Sequence, residues 1–165
     1  MHWTTRGLRD PQLTEDALAF IRAFMDSDCP RVAIENPVGV ISTRIRKPDQ
    51  MVQPFEYGHD ASKRTCLWLR GLPKLKPTEY VPPRTVCKRC KAVSRAQDLQ
   101  ACPSCALDGA WWRPRWSNQT DSGQNKLGPS ADRWALRSAT YPGIAAAMAA
   151  QWMAVLTSTT KEHHE

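Results

Sequence analysis

At 165 residues the chain has room for one domain, or one domain with a small insertion. Its hydrophobic fraction of 41% supports a core, and no run approaches the ~20 apolar residues that a membrane span needs. A net charge of +7 favours a polyanion such as DNA or RNA as partner and gives no reason to expect a membrane. The opening Met1-His2-Trp3-Thr4-Thr5-Arg6 has no apolar stretch and no small-residue cleavage site, so it does not read as a secretory signal, and a cytoplasmic location is the expectation.

In chain order, either Asp10 before Pro11 or Thr14 can cap a first helix. Leu13, Ala17, Leu18, Ile21, Phe24 and Met25 recur at helical spacing, predicting a helix over about 13–27. Cys29-Pro30 turns the chain into Arg31-Val32-Ala33-Ile34-Glu35-Asn36-Pro37, a short apolar run that suits a strand buried on both faces. Pro37 stops it and holds Asn36 out of helical geometry. Glu35 is thereby an acid at the carboxyl end of a buried strand, where open α/β sheets place their ligands. A carboxylate that merely faces water is the competing reading. Helix followed by buried strand predicts a parallel sheet.

Val38 to Lys47 suits a short helix with Ile41 and Ile45 on one face, and Met51 to Phe55 a strand. Tyr57 to Asp60 is a loop, Thr65 to Leu69 a second good strand ended by Gly71, and Lys74 to Pro83 an extended, proline-rich link. Trp116 to Ala131 reads as a loop, Ile144 to about Leu156 as an alanine-rich helix, and Thr157 to Glu165 as a frayed tail.

Between the link and the loop stand Cys87-Lys88-Arg89-Cys90 and Cys102-Pro103-Ser104-Cys105, two C-x-x-C knuckles. Cys87, Cys90, Cys102 and Cys105 can bring four thiolates to one tetrahedral zinc. Four protein ligands leave no open position, so such a zinc is structural. A small insertion without its own core would draw folding energy from the metal. Two disulfides or an iron–sulfur cluster are the alternatives, and an intracellular location disfavours the disulfides. Cys29 and Cys66 lie beside or within apolar runs and are expected to be buried, unreactive thiols. The ribbon is basic, with Arg84, Lys88, Arg89, Lys91 and Arg95, and Trp111-Trp112-Arg113-Pro114-Arg115-Trp116 follows it. Arg113 and Arg115 can meet phosphates while indoles stack on bases, and at least one tryptophan is expected to cover the metal site as a minimal core.

Ile34-Glu35-Asn36-Pro37, Gln53-Pro54-Phe55-Glu56-Tyr57-Gly58, Lys63-Arg64-Thr65-Cys66-Leu67-Trp68-Leu69 and Gly71-Leu72-Pro73 together resemble phage-encoded DNA cytosine-C5 methyltransferase-like proteins. The segment Asn118 to Leu127, with Asp132-Arg133-Trp134 and Arg137 to Ala145, resembles the end of the same proteins. The likeness covers most of the chain in the same order. It implies that Glu35 matches the glutamate that binds the flipped cytosine and assists protonation at ring nitrogen. Asn36 matches the neighbouring asparagine, and Pro37 stands where the family has valine. It also implies that Arg64, with Lys63 beside it, matches the arginine motif contacting base and backbone. Ser138, Thr140 and Tyr141 match the element that folds back onto the methyl-donor pocket. The ribbon falls where the family carries its DNA target-recognition region. The base must be flipped out of the duplex before such chemistry. A carboxylic acid against its edge serves only if a closed site raises its pKa.

The sequence also departs from that pattern. It holds no glycine-rich loop for S-adenosylmethionine and no Pro-Cys loop for the nucleophile; Cys29 precedes its proline and Cys66 falls within a strand. The expectation is therefore an α/β protein with a partial Rossmann-like methyltransferase sheet and an inserted zinc-ribbon: residues 1–80 the C-terminal half of the core, 81–117 the ribbon, 118–156 a loop and helix returning to the core, and 157–165 a disordered tail. Its expected function is that of a fragment or split-enzyme half, inactive alone, acting on DNA in a bacterial or phage-infected cell. Zinc is its expected cofactor, S-adenosylmethionine is bound only once the missing half completes it, and an N-terminal half or a second copy is its expected partner. The alternatives are a non-catalytic zinc-ribbon protein that binds DNA and, more weakly, one that acts on RNA.

Overall fold

A computed structural model describes residues 10–95, 100–106 and 112–159, with side chains in the last helix described as far as Val155. The chain divides into two compact units, Met1–Val52 with Arg64–Lys74, and Gln53–Lys63 with Leu75–Glu165. Among the described residues no helix is long and apolar enough to cross a membrane.

In the first unit, Asp10 caps helix α1 (Pro11–Asp26), its carboxylate accepting from the Gln12 N–H at 2.9 Å while Pro11 occupies the first turn. Strand β1 (Val32–Pro37), short helix α2 (Ile41–Arg44), strand β2 (Gln50–Val52) and strand β3 (Thr65–Arg70) follow. The helix-then-strand order predicts a parallel sheet, but the strands lie β1-β3-β2 with both neighbours antiparallel to β3. β1 and β2 share a direction without pairing. β3 takes the centre because Thr65 through Trp68 are all buried, so it alone presents apolar surface on both faces. β1, expected to be buried on both faces, is an edge strand among the described residues, with Ala33 exposed and Ile34 half-buried.

One face of this sheet meets α1 through Leu18, Cys66, Trp68 and Ile41, flanked by Ile21, Met25 and Ile34. The Trp68 indole donates to the Arg46 carbonyl at 2.9 Å. Asp49 receives two bonds from Arg46 and one from the Leu69 N–H, and the Arg46 guanidinium beside it holds its carboxyl below the usual range. The last turn of α1 has no basic residue of its own. Arg70, at the end of β3, supplies the cation, donating to the carbonyls of Met25, Ser27 and Cys29 at 2.6–2.8 Å. Gly71 then turns the chain at φ 63°, where a Cβ would lie 2.2 Å from the Pro30 carbonyl oxygen. Cys66 is buried as expected. Cys29 is exposed, because the Pro30 turn carries it off the sheet, and its thiol donates to the Arg31 carbonyl.

In the second unit the expected strand over Met51 to Phe55 stops at Val52. Pro54–Glu56 is a 3₁₀ turn, since Pro54 cannot donate to a ladder and the Glu56 carboxylate instead accepts from the Gln53 N–H. Strands β4 (Arg84–Cys87), β5 (Val93–Ser94) and β6 (Trp112–Arg115) form a second antiparallel sheet in the order β5-β4-β6. The architecture is thus mixed α/β with two small antiparallel sheets. Helix α3 (Arg133–Ser138) has no counterpart in the sequence reading, and helix α4 (Pro142–Thr159) runs past the expected end at Leu156, so the first residues of the expected tail are helical. Residues 160–165 and Trp111 lie outside the described residues.

Arg70→Ala leaves three carbonyls without their charged donor. It is expected to destabilise the first unit by about 2–3 kcal/mol, read as faster amide exchange across α1 with the second unit unaffected.

Candidate functional site

The two knuckles are built alike. Cys87 ends β4, and its carbonyl accepts from the Lys91 N–H at 3.1 Å; the Cys102 carbonyl accepts from the Ala106 N–H at 2.8 Å. In both knuckles the residue after the second cysteine is left-handed, Lys91 at φ 65° and Ala106 at φ 54°. This repeated turn folds each C-x-x-C back on itself, and the antiparallel pairing of β4 with β6 frames the first knuckle. The four Sγ atoms lie within 4.8 Å of one another, Cys87 to Cys105 at 3.7 Å and Cys90 to Cys102 at 3.4 Å. Tetrahedral sulfurs about 2.3 Å from a zinc stand roughly 3.8 Å apart. The donor set is therefore compatible with a structural zinc, and Cys87, Cys90, Cys102 and Cys105 could hold such a metal ion.

The local electrostatics prepare these thiols for a cation. The Cys87 thiol is pushed down to about 6, chiefly by the backbone N–H of Cys90, with that of Arg89 and the neighbouring thiols of Cys90 and Cys105 adding to it against burial. The Cys102 thiol is also lowered: burial opposes this, but the N–H groups of Ser104 and Cys105 and the adjoining thiols outweigh it. Trp112 packs on Cys87 and Cys102 as a minimal core, the role expected of one tryptophan.

The remaining predicted residues fall in both units. In the first, the register sets Glu35 opposite Leu67, Asn36 opposite Cys66 and Pro37 opposite Thr65. Asn36 therefore leaves the sheet at the end where Arg64 enters it. Val52, the last residue of β2, also pairs with Thr65. Glu35, Asn36 and Arg64 thus share one end of the sheet, with the carboxyl ends of β1 and β2. Burial raises the Cys66 thiol despite the nearby charge of Arg64, so it is a neutral packing group and a poor nucleophile.

In the second unit, the Lys63 ammonium donates to the Ala139 carbonyl at 2.8 Å, which ties it to the segment carrying Ser138, Thr140 and Tyr141. Gln53, which sequence reasoning passed over, holds the Lys63 N–H at 3.0 Å. Asn118 clasps the Ser62 backbone twice at 2.9 Å. The His59 Nε2 accepts from the Gly143 N–H at the start of α4, and its ring meets Tyr141 at 5.2 Å. Burial raises the Tyr141 phenol, with a hydrogen bond to Asn118 opposing. Gly143 tolerates no side chain, since a Cβ there would lie 2.0 Å from the Tyr57 carbonyl oxygen. The Tyr-Pro-Gly triplet was the available sign of that close approach. Arg115 braces the following loop, donating to the Asp121 carbonyl, as Arg84 does by pairing with the Asp121 carboxylate; Arg113 donates to the Trp112 carbonyl.

Comparison with known proteins finds no family model, no curated protein and no solved structure that matches the chain.

Two outcomes are expected of the sulfur cluster. Because the folded Cys87 thiol lies below its ordinary value, the thiolate persists as pH falls until about 6. Because all four thiols must lose their protons to bind, apparent affinity for cobalt(II), followed by its thiolate charge-transfer absorption, should fall as pH falls and fall more steeply below about 6, where Cys87 is protonated as well. Separately, Ala106→Gly relieves a left-handed backbone and is expected to stabilise the metal-loaded ribbon by about 0.5–1 kcal/mol, measured by chemical denaturation.

Proposed function

We propose that this chain is the C-terminal part of a DNA cytosine-C5 methyltransferase-type protein, carrying the base-binding carboxylate and a zinc-stabilised DNA-reading ribbon. The observation that carries the reading is the shared sheet end of Glu35, Asn36 and Arg64, where the carboxyl ends of β1 and β2 meet the start of β3. β1 and β2 run in one direction on either side of the reversed β3, so under this reading they would be the parallel members of a mixed sheet. Glu35 would take the cytosine edge and assist protonation at its ring nitrogen, while Asn36, Arg64 and Lys63 would hold base and backbone. Cys66 does not serve as the nucleophile, because its raised pKa keeps it protonated. The thiolate that adds to C6 and the loop that binds S-adenosylmethionine would be supplied from outside this sequence, by an N-terminal half whose donor pocket Ser138, Thr140 and Tyr141 would close. In the ribbon the metal is zinc, held by the four cysteines in a purely structural role. The exposed Lys88, Arg89, Lys91 and Arg95 together with Arg113 and Arg115 meet DNA phosphates. The setting is the cytoplasm of a bacterial or phage-infected cell.

The same ribbon favours a second reading, a non-catalytic zinc-ribbon protein that binds DNA, since four thiols around one point and a basic surface are sufficient for it. Labelled S-adenosylmethionine separates the two. The purified chain should transfer no label to DNA, and co-expression with an N-terminal half bearing a glycine-rich donor loop and a Pro-Cys loop should restore transfer. Glu35→Gln in that pair should abolish transfer while leaving salt-dependent DNA binding intact. Label incorporated by the chain alone, or transfer indifferent to Glu35→Gln, overturns the methyltransferase reading.

A further inference from the structure

The first unit holds a cavity of about 220 Å³ that neither reading uses. Its position follows from strand register. β1 and β3 set Val32 opposite Arg70 and Ile34 opposite Trp68, so these four side chains share one face of the sheet. Ile34 and Trp68 pack with α1 on that face. Val32 and Arg70 stand at the end of the sheet away from Asn36 and Arg64. Met25, from the last turn of α1, and Arg46, from the segment after α2, also line the cavity.

The lining joins apolar side chains to two guanidiniums, and no acid belongs to it. The two cations differ. Arg46 is neutralised by Asp49, whose carboxylate accepts two bonds from it. Arg70 has no such partner. Its bonds go to the carbonyls of Met25, Ser27 and Cys29 and to the Ser27 hydroxyl. Asp26 and Asp28 flank those carbonyls but are exposed, and among the described residues no carboxylate forms an ion pair with Arg70. The Arg70 Nε is also buried and donates to nothing among the described residues. A half-buried cation without a counter-charge and a buried donor without an acceptor each cost free energy that an anionic acceptor would recover.

We propose that this cavity binds a small monocarboxylic acid, its carboxylate facing Arg70 and its apolar body lying against Val32, Ile34 and Trp68. Size and charge set the class. An apolar cavity of about 150 Å³ accommodates benzene, so this one takes a ring or acyl chain of roughly six to eight carbons. A neutral apolar molecule would leave Arg70 without a counter-charge. A phosphate ester would bring two charges to one unneutralised cation, and its polar body would gain nothing from Val32, Ile34 and Trp68. Binding here is independent of the methyltransferase reading. Glu35 lies on the other face of β1 from Val32 and Ile34 and outside the lining, so failure leaves that reading untouched.

Nuclear magnetic resonance of the full, metal-loaded chain tests the proposal, with hexanoate as the probe and hexanol and hexylammonium as its neutral and cationic counterparts. Hexanoate is expected to shift the Trp68 indole N–H and the Val32 and Ile34 amide resonances saturably. Hexanol should bind the same residues about tenfold or more weakly, the difference that a hydrogen bond to a charged group makes. Hexylammonium should not bind there. Val32→Phe, which fills the cavity, should weaken hexanoate at least about tenfold while the resonances of the second unit stay in place. Absence of saturable shifts at these residues, or shifts confined to the basic ribbon, overturns the proposal. So do equal affinities for acid and alcohol, or hexanoate binding unchanged in a folded Val32→Phe. The three probes are compared on the wild type alone, so they decide the outcome even where the variant fails to fold.

Discussion

Four sulfur atoms within 4.8 Å of one another are the constraint on which the ribbon of the second unit rests. Thiolates so close repel strongly, and neutral thiols make only weak hydrogen bonds, so neither state alone accounts for the cluster. A cation resolves the conflict, and the backbone N–H groups aimed at Cys87 and Cys102 act in the same direction by favouring the anions before any metal arrives. The buried apolar cluster around the cysteines is Cys87, Cys102 and Trp112, small for ordering β4, β5 and β6 by burial. Binding of a metal there would be coupled to folding of the ribbon.

The first unit solves the same shortage differently. Its buried cluster of Leu18, Ile41, Cys66 and Trp68 is compact, and directed bonds from β3 fix the pieces around it. Trp68 fastens the segment after α2, Leu69 holds Asp49 and Arg70 closes the end of α1. One strand thereby sets the place of α1, β1 and β2, and with them the position of Glu35 at the sheet end. The site is a product of strand register: one residue of slip between β1 and β3 would send Glu35 to the face occupied by α1.

The match between sequence and structure is uneven, for physical reasons. Local chemistry was legible: the Asp10-Pro11 cap, the four cysteines, the stop at Gly71 and the burial of Cys66 each depend on a few adjacent residues. Strand partners were not. The apolar run at Val32 to Ile34 looks like a central strand, yet β3 has the stronger claim to the centre because both of its faces are buried. That competition is invisible within either segment alone. The positioning groups Gln53, His59 and Asn118 escaped notice for a similar reason. A lone amide or imidazole becomes informative only when a distant backbone arrives to meet it, as Gly143 meets His59 across 84 positions.

The sequence by itself determined where α1 starts, where β3 is ended by Gly71 and which four side chains gather as donors, because caps, turn glycines and knuckle spacing act within a few residues. The tertiary structure alone decided which strand lies inside and which is left at the edge, and that Glu35 and Arg64 share one end of a sheet. Those outcomes depend on register and on the total burial of competing strands, quantities that belong to pairs of segments and not to any one of them.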